Sequence, residues 1–186
     1  STSRHVQVRR LQPGQGITLF SGTGGEWTAT ITRMTRSRVE VLVRQYVAIE
    51  REAERAVHLA VGLMASERME WLVEKATELG VASLTPIVAS RGNLRPDARQ
   101  AEKKRQRWRA LAAGACEQSG RNRLPDIRAL TTLPEFLTQS ATGAHWLLSL
   151  DSSATPARRL VATLPQQEPV TLLSGPEGGL TLPEDA

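Results

Sequence analysis

The sequence predicts an α/β protein in two parts: a small β module over residues 1–50, then a larger domain over residues 56–186 with a mostly parallel sheet. Three observations carry this. Apolar and polar residues alternate with period 2 up to residue 46, as half-buried strands require. From Val57 onward, continuous apolar runs alternate with segments of helical periodicity. Hydrophobic residues make up 40% of the 186, enough for a packed core.

The elements follow in order. "GITLF" (Gly16–Phe20), "WTATIT" (Trp27–Thr32) and "RVEVLV" (Arg38–Val43) read as three strands. "SGTGGE" (Ser21–Glu26) joins the first two as a hairpin, its glycines supplying positive φ. "EREAER" (Glu50–Arg55) reads as the linker. "VHLAVGLM" (Val57–Met64) reads as a strand covered on both faces. A helix follows, with Ser66 as N-cap, a Met69, Leu72, Val73, Ala76 stripe, and Gly80 as its stop. "SLTPIVA" (Ser83–Ala89) is the next strand. A long helix over about Ala98–Ser119 buries Trp108, Leu111, Ala112, Ala115 and Cys116. "HWLLSL" (His145–Leu150), "PARRLVATL" (Pro156–Leu164) and "VTLLS" (Val170–Ser174) then read as strand, helix and strand.

Charge is unevenly placed. The chain carries a net +5 with a pI near 10.3. Residues 1–46 hold +5 and residues 91–128 hold +7, so the remainder is negative. Two basic blocks point to a polyanionic partner, although a charge run is also an ordinary solvated face. The Lys103–Arg109 run has both readings open. No apolar run reaches the roughly 18 residues of a membrane span, and the first residues do not read as a signal peptide. One cysteine, Cys116, excludes an intrachain disulfide and fits a reducing, cytoplasmic compartment. No His, Cys or Asp spacing suggests a metal site.

The last predicted strand runs into "GPEGG" (Gly175–Gly179). The C-terminal edge of a parallel sheet is where such folds bind ligands. No phosphate-loop motif is present, and Glu177 would repel phosphates. Glycines beside a carboxylate suit a neutral polar or cationic ligand met by backbone groups. S-adenosylmethionine, with its sulfonium and ammonium, fits that chemistry.

Four ordered segments together resemble one family. They are "RLQPGQGITLFSGTGGEW", "ERMEWLVEKATELGV" (Glu67–Val81), "ACEQSGRNRLPDI" (Ala115–Ile127) and "LLSGPEGGL" (Leu172–Leu180). The chain resembles the bacterial 16S rRNA (uracil-N3) methyltransferases, of the SPOUT class with a C-terminal trefoil knot and an N-terminal PUA-like β-barrel. The family's first strand and its last motif, L-G-x-R-I-L-R-x-E-T-A, do not occur here. The resemblance therefore implies an N-terminally shortened barrel and an incomplete knot in this chain. The family's frequent Lys before the "ERME" helix is replaced by "MAS".

The resemblance implies S-adenosylmethionine as cofactor, 16S rRNA in the small ribosomal subunit as partner, and a homodimer. It places the cofactor at Leu150, Asp151, Leu173, Gly175, Pro176, Glu177, Gly178 and Gly179. Glu177 has a second reading as a helix cap, and Asp151 or Ser152 as an N-cap. RNA contacts are expected from Arg9, Arg10, Arg91, Arg121 and Arg123. Arg121 and Arg91 are candidates to stabilise a developing uracil anion. Arg121 is also a candidate i+4 partner for Glu117. The alternative function is a non-catalytic RNA-binding protein on a similar scaffold.

Overall fold

A computed structural model of the chain describes residues 11–35, 37–90, 92, 94–139, 143–176 and 179–180. The chain divides into two units, residues 1–51 and 52–186.

In the first unit, β1 (Gly16–Leu19), β2 (Glu26–Met34) and β3 (Val39–Val47) form an antiparallel sheet in that order. The hairpin pairs Leu19 with Trp27 and Gly16 with Thr30. Alternation buries Ala29 and Ile31. The turn requires Gly25, whose φ is +70°. A Cβ there would also lie 2.0 Å from the Tyr46 hydroxyl. The Tyr46 ring instead packs on Trp27, with centroids 5.1 Å apart. Arg51 closes the unit through an ion pair with Glu26.

The second unit is a parallel sheet in the order β6-β5-β4-β9-β8, with β7 also paired to β5. Its strands are β4 (Val57–Gly62), β5 (Ser83–Val88), β6 (Asp126–Ile127), β7 (Thr131–Thr132), β8 (Ala144–Leu147) and β9 (Val170–Ser174). Four helices connect them: α1 (Ser66–Glu78), α2 (Ala98–Ser119), α3 (Leu133–Gln139) and α4 (Ala157–Thr163). One face packs Leu84 and Ile127 against Met69 and Val73 of α1 and Trp108 and Ala112 of α2. The other packs Ala60 and Ile87 against Leu133 and Phe136 of α3. Helices on both faces explain why these strands read as unbroken apolar runs.

Pro86 sits in the middle of β5, where a proline normally argues against a central strand. The Leu84 carbonyl accepts from Arg128 N and the Ile87 carbonyl from Leu63 N, on opposite sides of β5. Alternation then turns the Pro86 nitrogen outward, between β6, paired at Ser83 and Leu84, and β7, paired at Ile87 and Val88. The missing donor falls where the ladder is already interrupted.

Several local expectations change. Ser66 is not the N-cap of α1: Ala65 occupies that position without a side-chain cap, and the Ser66 hydroxyl accepts from Lys104 Nζ. The cap of α2 is Asp97, in a reciprocal capping box with Gln100. The strand expected over 145–150 ends at Leu147. The short β6, β7 and α3 carry too few residues for a periodic signal. The knot expected from the resemblance concerns chain after Leu180, outside the described residues.

The segment read as a linker is tied down at Glu52. Arg121, buried at 6% exposure, meets that carboxylate with Nε at 3.0 Å and with Nη2. Its Nη1 donates to the Thr77 carbonyl at 2.8 Å, and Nη2 also donates to the Val81 carbonyl at 3.1 Å. Those carbonyls belong to the end of α1, where Gly80 adopts φ +94° and Val81 N returns to the Ala76 carbonyl. One guanidinium thus joins the entry to β4, the end of α1 and the entry to β5.

Two stability outcomes are expected. Arg121→Ala removes the buried guanidinium that donates to Glu52 and to two carbonyls and should destabilise the unit by about 3 kcal/mol, read by urea unfolding. A loss under about 1 kcal/mol would show that the pair contributes little. Gly114 should behave oppositely, because it is exposed in the interior of α2 and a Cβ added there would meet nothing within 4 Å. Gly114→Ala should stabilise by about 0.5–1 kcal/mol through helix propensity, raising the melting temperature. An unchanged or lowered value would mean that position is already in contact with something.

Candidate functional site

The parallel sheet reverses its order of construction between β4 and β9. From β4 the chain moves outward to β5, while β9 receives it from β8 on the other side. Ligands in open α/β sheets bind at such a point, beyond the C-terminal strand ends. Here those ends are Gly62 of β4 and Ser174 of β9, whose next residues are Gly175 and Pro176.

The backbones meet there at close range. A Cβ on Gly62 would stand 2.2 Å from Pro176 N and 2.7 Å from the Gly175 carbonyl carbon. No side chain fits, so glycine at the end of β4 is a condition of this arrangement. Beyond Pro176 the chain turns back. Gly179 N donates to the Pro176 carbonyl at 2.8 Å, and Gly179 has φ +71°. Leu180 then packs against the Ala60, Ile87, Leu133 and Phe136 cluster, together with Leu173. A Cβ on Gly175 would lie 3.0 Å from Leu180 Cγ, so this loop is tight on its inner side. Among the described residues, a Cβ on Gly179 would meet nothing within 4 Å.

The neighbouring loop follows β8. Leu148 N donates to the Leu173 carbonyl at 2.9 Å, which holds the two strand ends together. Leu150 is fully exposed. Asp151 is not a helix cap: its Oδ1 accepts from Ser153 Oγ at 2.6 Å and Ser153 N at 2.7 Å. The Ser153 hydroxyl and amide together hold its carboxyl below the usual carboxylate range. It is therefore ionised at neutral pH, a fixed negative charge beside exposed apolar surface. An ammonium or hydroxyl-bearing ligand suits that pairing.

The structure thus brings Leu150, Asp151, Leu173, Gly175, Pro176 and Gly179 to one edge. Glu177, Gly178, Arg9, Arg10 and Arg91 lie outside the described residues. Arg121 is a correction. Its guanidinium is buried at the N-terminal edge, a strand's length from Gly175, with its donors committed to Glu52, Thr77 and Val81. It does not face the glycine loop, and its ion pair is with Glu52. Arg123 is exposed at that same N-terminal edge. There, a cavity of about 200 Å³ is lined by Glu52, Arg55, Gly80, Arg121, Arg123 and Leu124. It is the surround of the Arg121 pair and is separate from the glycine loop.

Cys116 is fully buried, and burial pushes its thiol up, away from the reactive thiolate. His58 donates to or accepts from Ser83 Oγ at 2.8 Å at the N-terminal edge, with its pKa lowered by burial and then by Arg128. Among the described residues, no group of three His, Cys, Asp or Glu side chains could hold a metal ion. Among those residues, no helix is long and apolar enough to cross a membrane. Sequence reasoning missed Gly62. Its signal was an isolated glycine interrupting an apolar strand.

Comparison with known proteins adds to this geometry. The family described as RNA methyltransferase domain matches residues 51–186, and that described as RNA methyltransferase PUA domain matches residues 1–44. Ribosomal RNA small subunit methyltransferase E of Bacillus subtilis is 30% identical over 181 residues, covering 95% of this chain and 71% of that protein. A Legionella pneumophila protein, described as a methyltransferase and solved with bound SAM, superposes with a TM-score of 0.88 at 34% identity. That match covers 98% of this chain and 74% of the other. Ribosomal RNA small subunit methyltransferase E from Neisseria gonorrhoeae, solved bound to S-adenosyl methionine, gives a TM-score of 0.85 at 29% identity. It covers 99% of this chain and 75% of its own. With a PUA-type antiparallel sheet preceding a parallel sheet that closes on a glycine-bounded edge, the chain belongs to the RNA methyltransferase family.

Proposed function

We propose that this chain is an S-adenosylmethionine-dependent methyltransferase acting on N3 of one uridine in 16S rRNA, as a homodimer working on the small ribosomal subunit. The observation that carries the proposal is the glycine-bounded loop at the β4/β9 switch point, in a chain of this family. The residues present fit the cofactor. Gly179 offers backbone without a side chain, Asp151 offers a fixed carboxylate for an ammonium, and Leu150 and Leu173 offer apolar surface. Glu177 and Gly178 complete the motif in sequence.

When bound, S-adenosylmethionine supplies an electrophilic methyl on a sulfonium. What the chain supplies is placement. The loops after β8 and β9 are fastened to each other by the Leu148–Leu173 bond and to the core by Leu180, which gives a bound ligand a firm surface to rest on. Alignment of donor and acceptor then carries most of the acceleration. The acceptor N3 lies on the Watson–Crick edge, so the uridine must be unpaired or turned out. Its N3–H proton passes to solvent water as the methyl arrives. Arg91, three residues beyond the end of β5 in sequence, is the cation proposed to stabilise the developing uracil anion. Arg9, Arg10 and Arg123 are proposed RNA contacts, and the first unit is proposed as an RNA-positioning module.

Calorimetric titration with S-adenosylmethionine tests the site. Gly62→Ala forces Gly175 and Pro176 aside and should lower cofactor affinity at least about tenfold, or roughly 1.4 kcal/mol. Gly179→Val places a branched residue at φ +71°, with strain of about 1–3 kcal/mol. It should lose cofactor affinity by a similar factor with a smaller effect on the melting temperature. Wild-type affinity in both variants would reduce the loop to a plain turn. Mass spectrometry of 16S rRNA treated with protein and cofactor tests the activity: a single methyluridine is expected. RNA binding without cofactor binding or methylation would favour the non-catalytic alternative.

A further inference from the structure

Folding divides the basic block at 91–128 into two groups of cations. Several are fastened to the scaffold. Lys104 donates to the Ser66 hydroxyl at 2.9 Å, and Arg105 donates to the Ile127 carbonyl at 2.8 Å. Arg107 pairs with Glu70, Arg121 with Glu52, and Arg128 with Asp126. Arg95, Arg99, Lys103 and Arg109 are exposed, and no ion pair or side-chain hydrogen bond engages them among the described residues.

These four are ordered along α2. Arg99 and Lys103 stand one turn apart on the face opposite the buried Trp108 and Ala112, about 6 Å apart along the axis. Arg95 precedes the helix, whereas Arg109 stands about 100° around the axis from that face. The last ten residues of α2, "ALAAGACEQS", hold no cation at all. Because α2 follows β5, its first half stands at the C-terminal edge of the sheet, the edge that carries the glycine loop. Positive charge is thus graded along the helix toward the proposed reaction site.

This placement is unfavourable for the isolated helix. The N-terminal end of a helix is positive, so a cation in its first turn is disfavoured. The first turn of α2 holds no acidic residue, and the Asp97 carboxylate is engaged as the cap. A polyanion lying along the ridge would offset both the dipole and the mutual repulsion. The ridge continues through Gln106 and Ala110, with no large apolar side chain. A protein partner needs an apolar or aromatic anchor, whereas a phosphate backbone needs cations at regular spacing.

We propose that Arg95, Arg99 and Lys103 form a second RNA grip within the methyltransferase unit, holding the backbone that flanks the target uridine. The proposal rests on RNA being the substrate, and deepens that reading by naming a surface outside the first unit.

The test compares Arg99→Gln/Lys103→Gln with Lys75→Gln/Arg128→Gln. The control pair removes the same charge from surface cations at the opposite edge, each already beside a carboxylate. Binding to a 16S rRNA fragment is measured across salt, with S-adenosylmethionine titration and melting curves in parallel. The ridge pair should lose on the order of tenfold in RNA affinity near 0.1 M salt. Its slope of log affinity against log salt should flatten by about 1 to 2. KM for RNA should rise while cofactor affinity and melting temperature hold. Full RNA affinity and an unchanged slope in the ridge pair would overturn the proposal and leave the methyltransferase reading standing, as would an equal loss in the control pair. A wild-type protein that binds neither the cofactor nor RNA would overturn both.

Discussion

The backbone contact between Gly62 and the Gly175–Pro176 segment is the constraint on which the functional edge depends. Two parallel strands lie side by side, and the chain leaving one must cross the end of the other. With a Cβ at residue 62 the crossing strand end would sit 2.2 Å from it, inside any permitted contact. With glycine the two backbones touch, and the chain can turn at once. That turn lets Leu180 return to the core beside Leu173 while Gly179 takes a positive φ. The packing of Leu180 and the conformation of Gly179 belong to one turn.

The two edges of the parallel sheet carry different burdens. The N-terminal edge is locked by charge: Arg121 ties Glu52 to the end of α1 and the start of β5, and Arg55 donates to the carbonyls of Glu168 and Pro165. These bonds connect segments remote in sequence and commit the donors of Arg121 and Arg55 to the scaffold. The C-terminal edge is held by backbone and apolar packing, so its polar side chains remain available. Asp151 is the clearest case, its conformation set by Ser153 and its charge still exposed. Such a division lets stability and binding be altered separately.

Much of this was legible in the sequence because the governing signals are local. The stripe of Trp108, Ala112, Ala115 and Cys116 specified α2 and its buried face, and both ends of that helix were found. The alternation in "WTATIT" specified which side of β2 is covered. What was not legible depends on partners far away in sequence. Arg121 looks like a cation after a helix end, and nothing near it announces Glu52, 69 residues earlier. Its neighbour Glu117 looked like the natural partner because i+4 pairing is the local rule. Ser66 looked like a cap because its type suits one, yet the helix begins at it and Lys104 takes its hydroxyl. Gly62 was visible as a glycine, but only the fold shows which backbone it admits.

The same distinction between local pattern and distant partner explains the basic block. A count of charges over residues 91–128 treats every Lys and Arg alike. Folding commits some of them to carbonyls and carboxylates of the scaffold, and those are set by contacts across the unit: Arg105 with β6, Arg107 with α1. What remains facing solvent is a smaller set with a direction, dense at the edge where the strands end and absent along the rest of α2. Net charge establishes only that a polyanion is attracted. The residual pattern, after internal pairs are removed, is what the proposed RNA surface rests on. In a family that acts on RNA, a cationic gradient directed toward the strand ends would put the proposed RNA backbone and the proposed methyl donor on the same edge of the sheet. That edge is the one the Gly62 contact shapes.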